Sequence, residues 1–159
     1  MSQQPDRPWR SIGECAGSRT ESPFPYGSVD DYLPDSEATE LAAEFPDLTS
    51  SPSAQRLPRG KRRLVLTSAD VGRADLSAAW SRALAAVTDP DYLERTLAFV
   101  RSVRPRQSSQ VPVAIAAAHD RLTVDDLDVL VEAAELADGA FLPPHTDAAG
   151  KLISCVLAL

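Results

Sequence analysis

The charge of this chain is placed so unevenly that it demands two different kinds of structure. The net charge at pH 7 is −7, and residues 1 to 55 account for all of it. There Asp6, Glu14, Glu21, Asp30, Asp31, Asp35, Glu37, Glu40, Glu44 and Asp47 stand against Arg7, Arg10 and Arg19. Eight of the 13 prolines also precede residue 60. Over residues 1 to 35 the prolines and glycines interrupt helix and strand alike, because proline has no N–H to donate and glycine loses the most chain entropy on ordering. A segment with much charge and little apolar surface cannot offset that entropy by burial. The expectation is an acidic, proline-rich arm over residues 1 to 60, largely disordered, and a compact α+β domain over residues 61 to 159.

One stretch of the arm differs. Residues 36 to 45, SEATELAAEF, are an uninterrupted run of helix formers. Asp35 or Ser36 can serve as N-cap, and Glu37 and Glu40 lie near the positive end of the helix dipole. Leu41, Phe45 and Leu48 fall at i, i+4 and i+7 on one face, and Pro46 ends the helix. So short a helix is marginal in water, so it needs a surface to fold against, either its own domain or a partner.

In the domain, residues 63 to 67 read as a short strand, with turn chemistry at Ser68, Asp70 and Gly72. An amphipathic helix is predicted over residues 74 to 87, with Leu76, Trp80, Ala83, Leu84 and Val87 on its apolar face. A second starts with Asp89 as N-cap and Pro90 at N1, runs to Val103, and buries Leu93, Leu97 and Val100. Residues 111 to 119 tilt towards helix, and Thr123 caps a helix over residues 124 to 137 that turns Leu127, Leu130, Val131 and Leu136 inward. The last segment reads as a β-hairpin of residues 140 to 142 and 151 to 159, where alternation places Ile153, Cys155, Leu157 and Leu159 on one face. Helices closing on a hairpin have the order of a winged helix. The predicted fold class is therefore a small, helix-rich α+β domain with a C-terminal β-hairpin, winged-helix-like in its order.

Catalytic chemistry finds little support. No glycine-rich phosphate loop, nucleophile elbow, HExxH or paired-carboxylate motif occurs. Cys15 and Cys155 show no metal-ligand spacing, and a thiol turned into apolar company, as Cys155 is by alternation, is unreactive. His119, Asp120 and His145 have donor types suited to a divalent metal but no repeated ligand spacing, so no metal and no cofactor are assigned. A small enzyme would have to gather Asp70, His119, Asp120 and His145 from distant parts of the chain.

A binding role fits better. Arg56, Arg59, Lys61, Arg62 and Arg63 form a run of five cations without an acid, which is the basis for a DNA-binding alternative. The helix expected after Thr123 carries Asp125, Asp126, Asp128, Glu132 and Glu135, so phosphates would repel it if it were the helix placed in a major groove. Five of the nine aromatics, Trp9, Phe24, Tyr26, Tyr32 and Phe45, lie among acids and prolines in the arm. Disordered segments normally lack rings, so these act as anchors that bury in something. The leading expectation is a non-catalytic protein-interaction module, a regulator, adaptor or accessory subunit. Its partner-binding residues are Trp9, Phe24, Tyr26, Tyr32, Leu33, Leu41, Phe45 and Leu48. Residues 1 to 10 contain no apolar signal core, and no apolar run is long enough to span a bilayer, so the expected location is the cytoplasm, with no membrane partner.

Overall fold

A computed structural model of the chain describes residues 17 to 20, 26 to 29, 32 to 102 and 121 to 138; for residues 17 to 20, 26 to 29, 59 and 102 it describes the backbone alone. The elements are β1 (Gly17–Thr20), β2 (Tyr26–Val29), α1 (Asp35–Ala43), β3 (Gln55–Arg56), β4 (Lys61–Leu66), α2 (Ala78–Val87), α3 (Pro90–Ser102) and β5 (Val131–Leu136). Single 3-10 turns occupy Pro58–Gly60, Ser68–Asp70 and Val124–Asp126. The fold is mixed: three helices accompany an antiparallel sheet ordered β3-β4-β5, while β1 and β2 pair with each other. No helix among the described residues is long and apolar enough to cross a membrane. The chain divides into two compact units, one of residues 1 to 35 and 86 to 127, the other of residues 36 to 85 and 128 to 159.

The second unit is built on the β4–β5 ladder. Its register sets Arg62 against Glu135, Leu64 against Ala133 and Leu66 against Val131 on one face. Leu64, Leu66 and Ala133 on that face are buried, and Leu66 is fully so. The opposite face carries Lys61, Arg63 and Val65 against Leu136, Ala134 and Glu132. This is the inside–outside alternation of an antiparallel sheet with one dry face. Each leucine buried there contributes about 1.5 to 3 kcal/mol. The β3–β4 connection turns at Gly60, whose φ of 77° lies in the left-handed region open to glycine, and the Gly60 carbonyl accepts the Ala137 N–H at 3.2 Å.

Helices α1 and α2 are joined through Trp80. Its Nε1 donates to the Leu41 carbonyl at 3.0 Å, satisfying an acceptor in the last turn of α1. The indole meets the Phe45 ring edge-on, with centroids 5.5 Å apart. Leu41, Leu48, Leu76, Ala79, Trp80, Ala83 and Leu84 complete the buried set of this unit. The surface that α1 needs in order to fold is thus supplied by the chain itself. Glu44, just past α1, accepts the Ala79 N–H at 3.1 Å, and Ser77 Oγ accepts the Trp80 N–H at 3.4 Å, so two free donors of the first turn of α2 are capped.

In the first unit, Asp89 caps α3 as predicted, its Oδ1 accepting from the N–H groups of Asp91 and Tyr92 at 2.9 and 3.2 Å. Tyr92 and Leu97 are buried on α3, Leu33 is buried in the segment before α1, and the Tyr32 and Tyr92 hydroxyls are hydrogen-bonded. Arg101 donates to the Leu122 carbonyl.

Three expectations require correction. Residues 124 to 137 are not a helix: Thr123 and Asp126 close one 3-10 turn, and the chain then extends into β5. Local composition favours helix there, but pairing with β4 and burial of Ala133 override it, because strand formation depends on what lies across the ladder. Residues 1 to 35 do hold strands, β1 and β2, since their prolines fall outside the paired positions 17 to 20 and 26 to 29. Finally, α2 starts at Ala78, not residue 74. Ahead of it, Gly72 at φ 76° and the Asp70–Arg73–Asp75 ion pairs hold a non-helical turn. The expected helix over residues 111 to 119 and the expected C-terminal hairpin lie outside the described residues.

Candidate functional site

The basic run that suggested nucleic acid is folded into the sheet. Lys61 Nζ and Arg63 Nη1 both donate to Glu132, Arg63 at 2.9 Å, so that one carboxylate bridges two cations on the outer face. Arg62 Nη1 donates to Glu135 at 2.7 Å and to Thr49 Oγ1 at 3.2 Å, while Arg63 Nε donates to Gln55 at 3.0 Å. Burial pushes the Glu132 carboxyl upward, but the hydrogen bonds and charges of Lys61 and Arg63 outweigh it and hold it below the usual range. Two of the acids that were expected to repel a polyanion, Glu132 and Glu135, therefore pair with three of the cations that were expected to attract one. Arg56 is exposed on β3, beside a shallow open depression that is also lined by Leu57, Gly60, Lys61, Arg62, Glu135 and Ala137.

A second charged surface surrounds α1. Asp35, Glu37, Glu40, Glu44 and Asp47 fall within 13 residues, and no lysine or arginine lies between residues 32 and 55. All but the half-buried Glu37 are exposed. Glu40 pairs with Arg82 of α2. The Glu44 carboxyl is held below its usual range, first by the Ala79 N–H and also by Ser77 and Arg82. Asp47 is lowered by Ser50 and Thr49, with Ser50 Oγ at 2.7 Å and the Thr49 N–H at 2.8 Å. Hydrogen bonds from neutral groups stabilise the carboxylate without cancelling its charge, so this surface stays negative at neutral pH.

Of the predicted partner-binding residues, Leu33, Leu41 and Leu48 are buried and Tyr32 and Phe45 are half-buried. Tyr26 is a residue of β2, paired with Thr20. Trp9 and Phe24 lie outside the described residues, as do Cys15, Cys155, His119, Asp120 and His145. Asp70 is engaged locally: its Oδ2 accepts from the Thr67 N–H at 2.8 Å and Oγ1 at 3.0 Å, and its Oδ1 accepts from Arg73 at 2.9 Å. Those partners, the Thr67 N–H foremost, hold its carboxyl below the usual range. Asp126 has the same arrangement with Thr123, again with its carboxyl lowered. Among the described residues no group of three or more His, Cys, Asp or Glu side chains is placed to hold a metal ion.

Sequence reading missed that β4 and β5 join residues about seventy positions apart. The signal was present: Lys61, Arg62 and Arg63 against Glu132 and Glu135 are complementary in sign, and both segments are short enough to be strands. Compared with protein-family models, with curated proteins and with solved structures, the chain matches none.

Proposed function

We propose that the protein is a non-catalytic protein-interaction module, a regulator, adaptor or accessory subunit, whose acidic N-terminal third binds a protein partner with a basic surface. One observation carries this reading: the negative excess is concentrated on the exposed surface around α1, while in the other charged cluster three cations of β4 are met by two carboxylates of β5. Burial of Leu33, Leu41 and Leu48 within the chain leaves Trp9, Phe24 and Tyr26, which precede α1, as the aromatic anchors of the proposed contact. Rings flanked by acidic charge combine desolvated contact area with electrostatic steering.

The test compares proteins recovered from native lysate by the full chain and by a variant in which Trp9, Phe24 and Tyr26 are Ala and Glu37 and Glu40 of α1 are Gln. Loss of specific partners by the variant, with a circular dichroism spectrum and a thermal transition close to those of the unaltered chain, supports the reading. Identical recovery by both chains would sink it. The DNA-binding alternative would rest on Arg56 and Arg59, with Lys61, Arg62 and Arg63 released from their carboxylates; a mobility shift at low salt that collapses steeply as salt is raised would favour it. A winged-helix arrangement is not needed for either reading, because the position of a reading helix after Thr123 is a turn followed by β5. An enzyme would need Asp70 to leave its cap. The expected cytoplasmic location belongs with this proposal.

A further inference from the structure

We infer that the depression beside β3 and the start of β4 binds a single phosphate group, carried by a small phosphate monoester or by inorganic phosphate. The sheet register sets Arg56 directly opposite Arg62, and Arg62 directly opposite Glu135. Residues so placed have Cβ atoms about 4.5 to 5.5 Å apart on one face, where like charges repel. Across the three strands Arg56, Lys61, Arg62 and Arg63 are met by two carboxylates, Glu132 and Glu135, so a surplus of two positive charges remains. An anion with two charges is its complement. The acidic surface around α1 takes no part in this site, so the two readings stand or fall separately.

The donors fit as well as the charge. Arg62 directs Nη1 to two acceptors, Glu135 Oε1 and Thr49 Oγ1, which engages both hydrogens of that nitrogen. Among the described residues no acceptor bonds its Nε or Nη2, the pair of nitrogens whose parallel N–H groups form one edge of the guanidinium fork. Arg56 is exposed and bonds no acceptor among the described residues. Both arginines line the depression, with Leu57 and Ala137 as an apolar wall, and its volume is about 230 Å³. Sites for drug-sized ligands measure about 300 to 1,000 Å³, so this one takes a small group. Guanidinium forks match phosphate oxygens two at a time, and the apolar wall suits a short organic tail. Glu135 also lines the depression. Two guanidinium groups and one carboxylate still leave a positive field, from which a dianion gains about twice what a monoanion gains. Lys61, Arg62 and Arg63 keep their carboxylates throughout, which the DNA-binding alternative does not allow.

The experiment follows arginine Nε–H signals of the isotopically labelled full chain at about pH 7.5, where a phosphate monoester carries about two negative charges. Methyl phosphate, inorganic phosphate and acetate are titrated in turn, at an ionic strength held constant with sodium chloride. The expected result is a saturable shift of the Arg56 and Arg62 signals with both phosphates, and binding of acetate weaker by about tenfold or more. Tighter binding of methyl phosphate than of inorganic phosphate assigns the site to monoesters; equal or weaker binding assigns it to free phosphate. Arg56→Ala, at an exposed side chain, should weaken phosphate binding by about tenfold or more, whereas Arg121→Ala, at an exposed arginine elsewhere, should leave it unchanged. Shifts that grow without saturating, or that saturate equally in Arg56→Ala, would overturn the inference. So would tighter binding of a duplex oligonucleotide that also moves the Arg63 signal, since the cations would then serve an extended polyanion surface. If Arg56→Ala does not fold, saturation and the acetate comparison in the unaltered chain still decide.

Discussion

The β4–β5 ladder and helix α1 use their charges in opposite ways. On the ladder, Lys61, Arg62 and Arg63 meet Glu132 and Glu135 from a strand about seventy residues later, and each cation reaches a carboxylate. Around α1, three of the five acids, Glu40, Glu44 and Asp47, are served by Arg82 and by neutral N–H and hydroxyl groups at Ala79, Thr49 and Ser50. In sequence both look like unbalanced runs. A strand pair can match two distant runs residue for residue, whereas a helix packed through its apolar face leaves its polar face to the solvent. Segment charge therefore does not identify a binding surface until pairing is known. With the pairing known, α1 keeps most of its negative charge, whereas three cations of the basic run are engaged by two carboxylates.

The contrast between the two regions is most vulnerable at Trp80, which fixes α1 to α2. Trp80→Ala removes the indole from the buried set and is expected to destabilise the protein by about 3 to 5 kcal/mol in urea unfolding, with α1 fraying first by hydrogen exchange. A change below about 1 kcal/mol would mean that α1 is held by something else. Acid has the next largest effect, because lowered carboxyls occur in both regions. Glu44, Asp47, Asp70, Asp126 and Glu132 are all held below their ordinary values in the folded chain. The unfolded chain then takes up protons first, so their stabilisation is full above the ordinary carboxylate pKa of about 4 and is lost as pH falls through the lower folded values. The urea midpoint should hold steady between about pH 7 and 6 and decline below about pH 4.

Smaller effects separate the two regions further. Thr67→Ala and Thr123→Ala each remove a cap hydroxyl from the same Thr-x-x-Asp turn and should each cost about 1 kcal/mol; sharply unequal losses would show that the turn before β5 has a different role from the one after β4. A double-mutant cycle between Lys61 and Glu132 should give a coupling of at most about 1 kcal/mol, since both side chains keep contact with solvent and screening applies. Coupling near zero would make the pairing a matter of register, not stability. On α1, Glu37→Gln keeps the size of the half-buried side chain and should alter stability by less than about 1 kcal/mol, while making the acidic surface less negative.

Much of the helical part was legible because its signals are local. Asp89 and Pro90 announce α3, the spacing of Trp80, Ala83 and Leu84 gives the buried face of α2, and the run before Pro46 gives α1. The candidate site was less legible. Leu41 and Leu48 were recognised as apolar positions sharing a face, but a pattern that needs a surface is the same whether that surface is Trp80 or another protein. The two Thr-x-x-Asp turns show the limit most clearly. Thr67 and Thr123 make the same bonds to Asp70 and Asp126. Beyond Asp126 the chain stays extended and enters β5, whereas beyond Asp70 it turns again before α2. A cap closes one turn and carries no information about the element beyond it.

The positions of charge, proline and helix-forming residues were dictated by sequence alone, because they depend on each residue and its nearest neighbours: the acidic first third, the caps, the apolar faces of three helices. Long-range packing was needed to make VEAAEL a strand, to pair Lys61, Arg62 and Arg63 with carboxylates, and to fold α1 on its own chain. Each of these depends on a partner far away in sequence. The free energy of pairing Leu64 with Ala133, or of bonding the Trp80 indole to the Leu41 carbonyl, exists only when both are brought together.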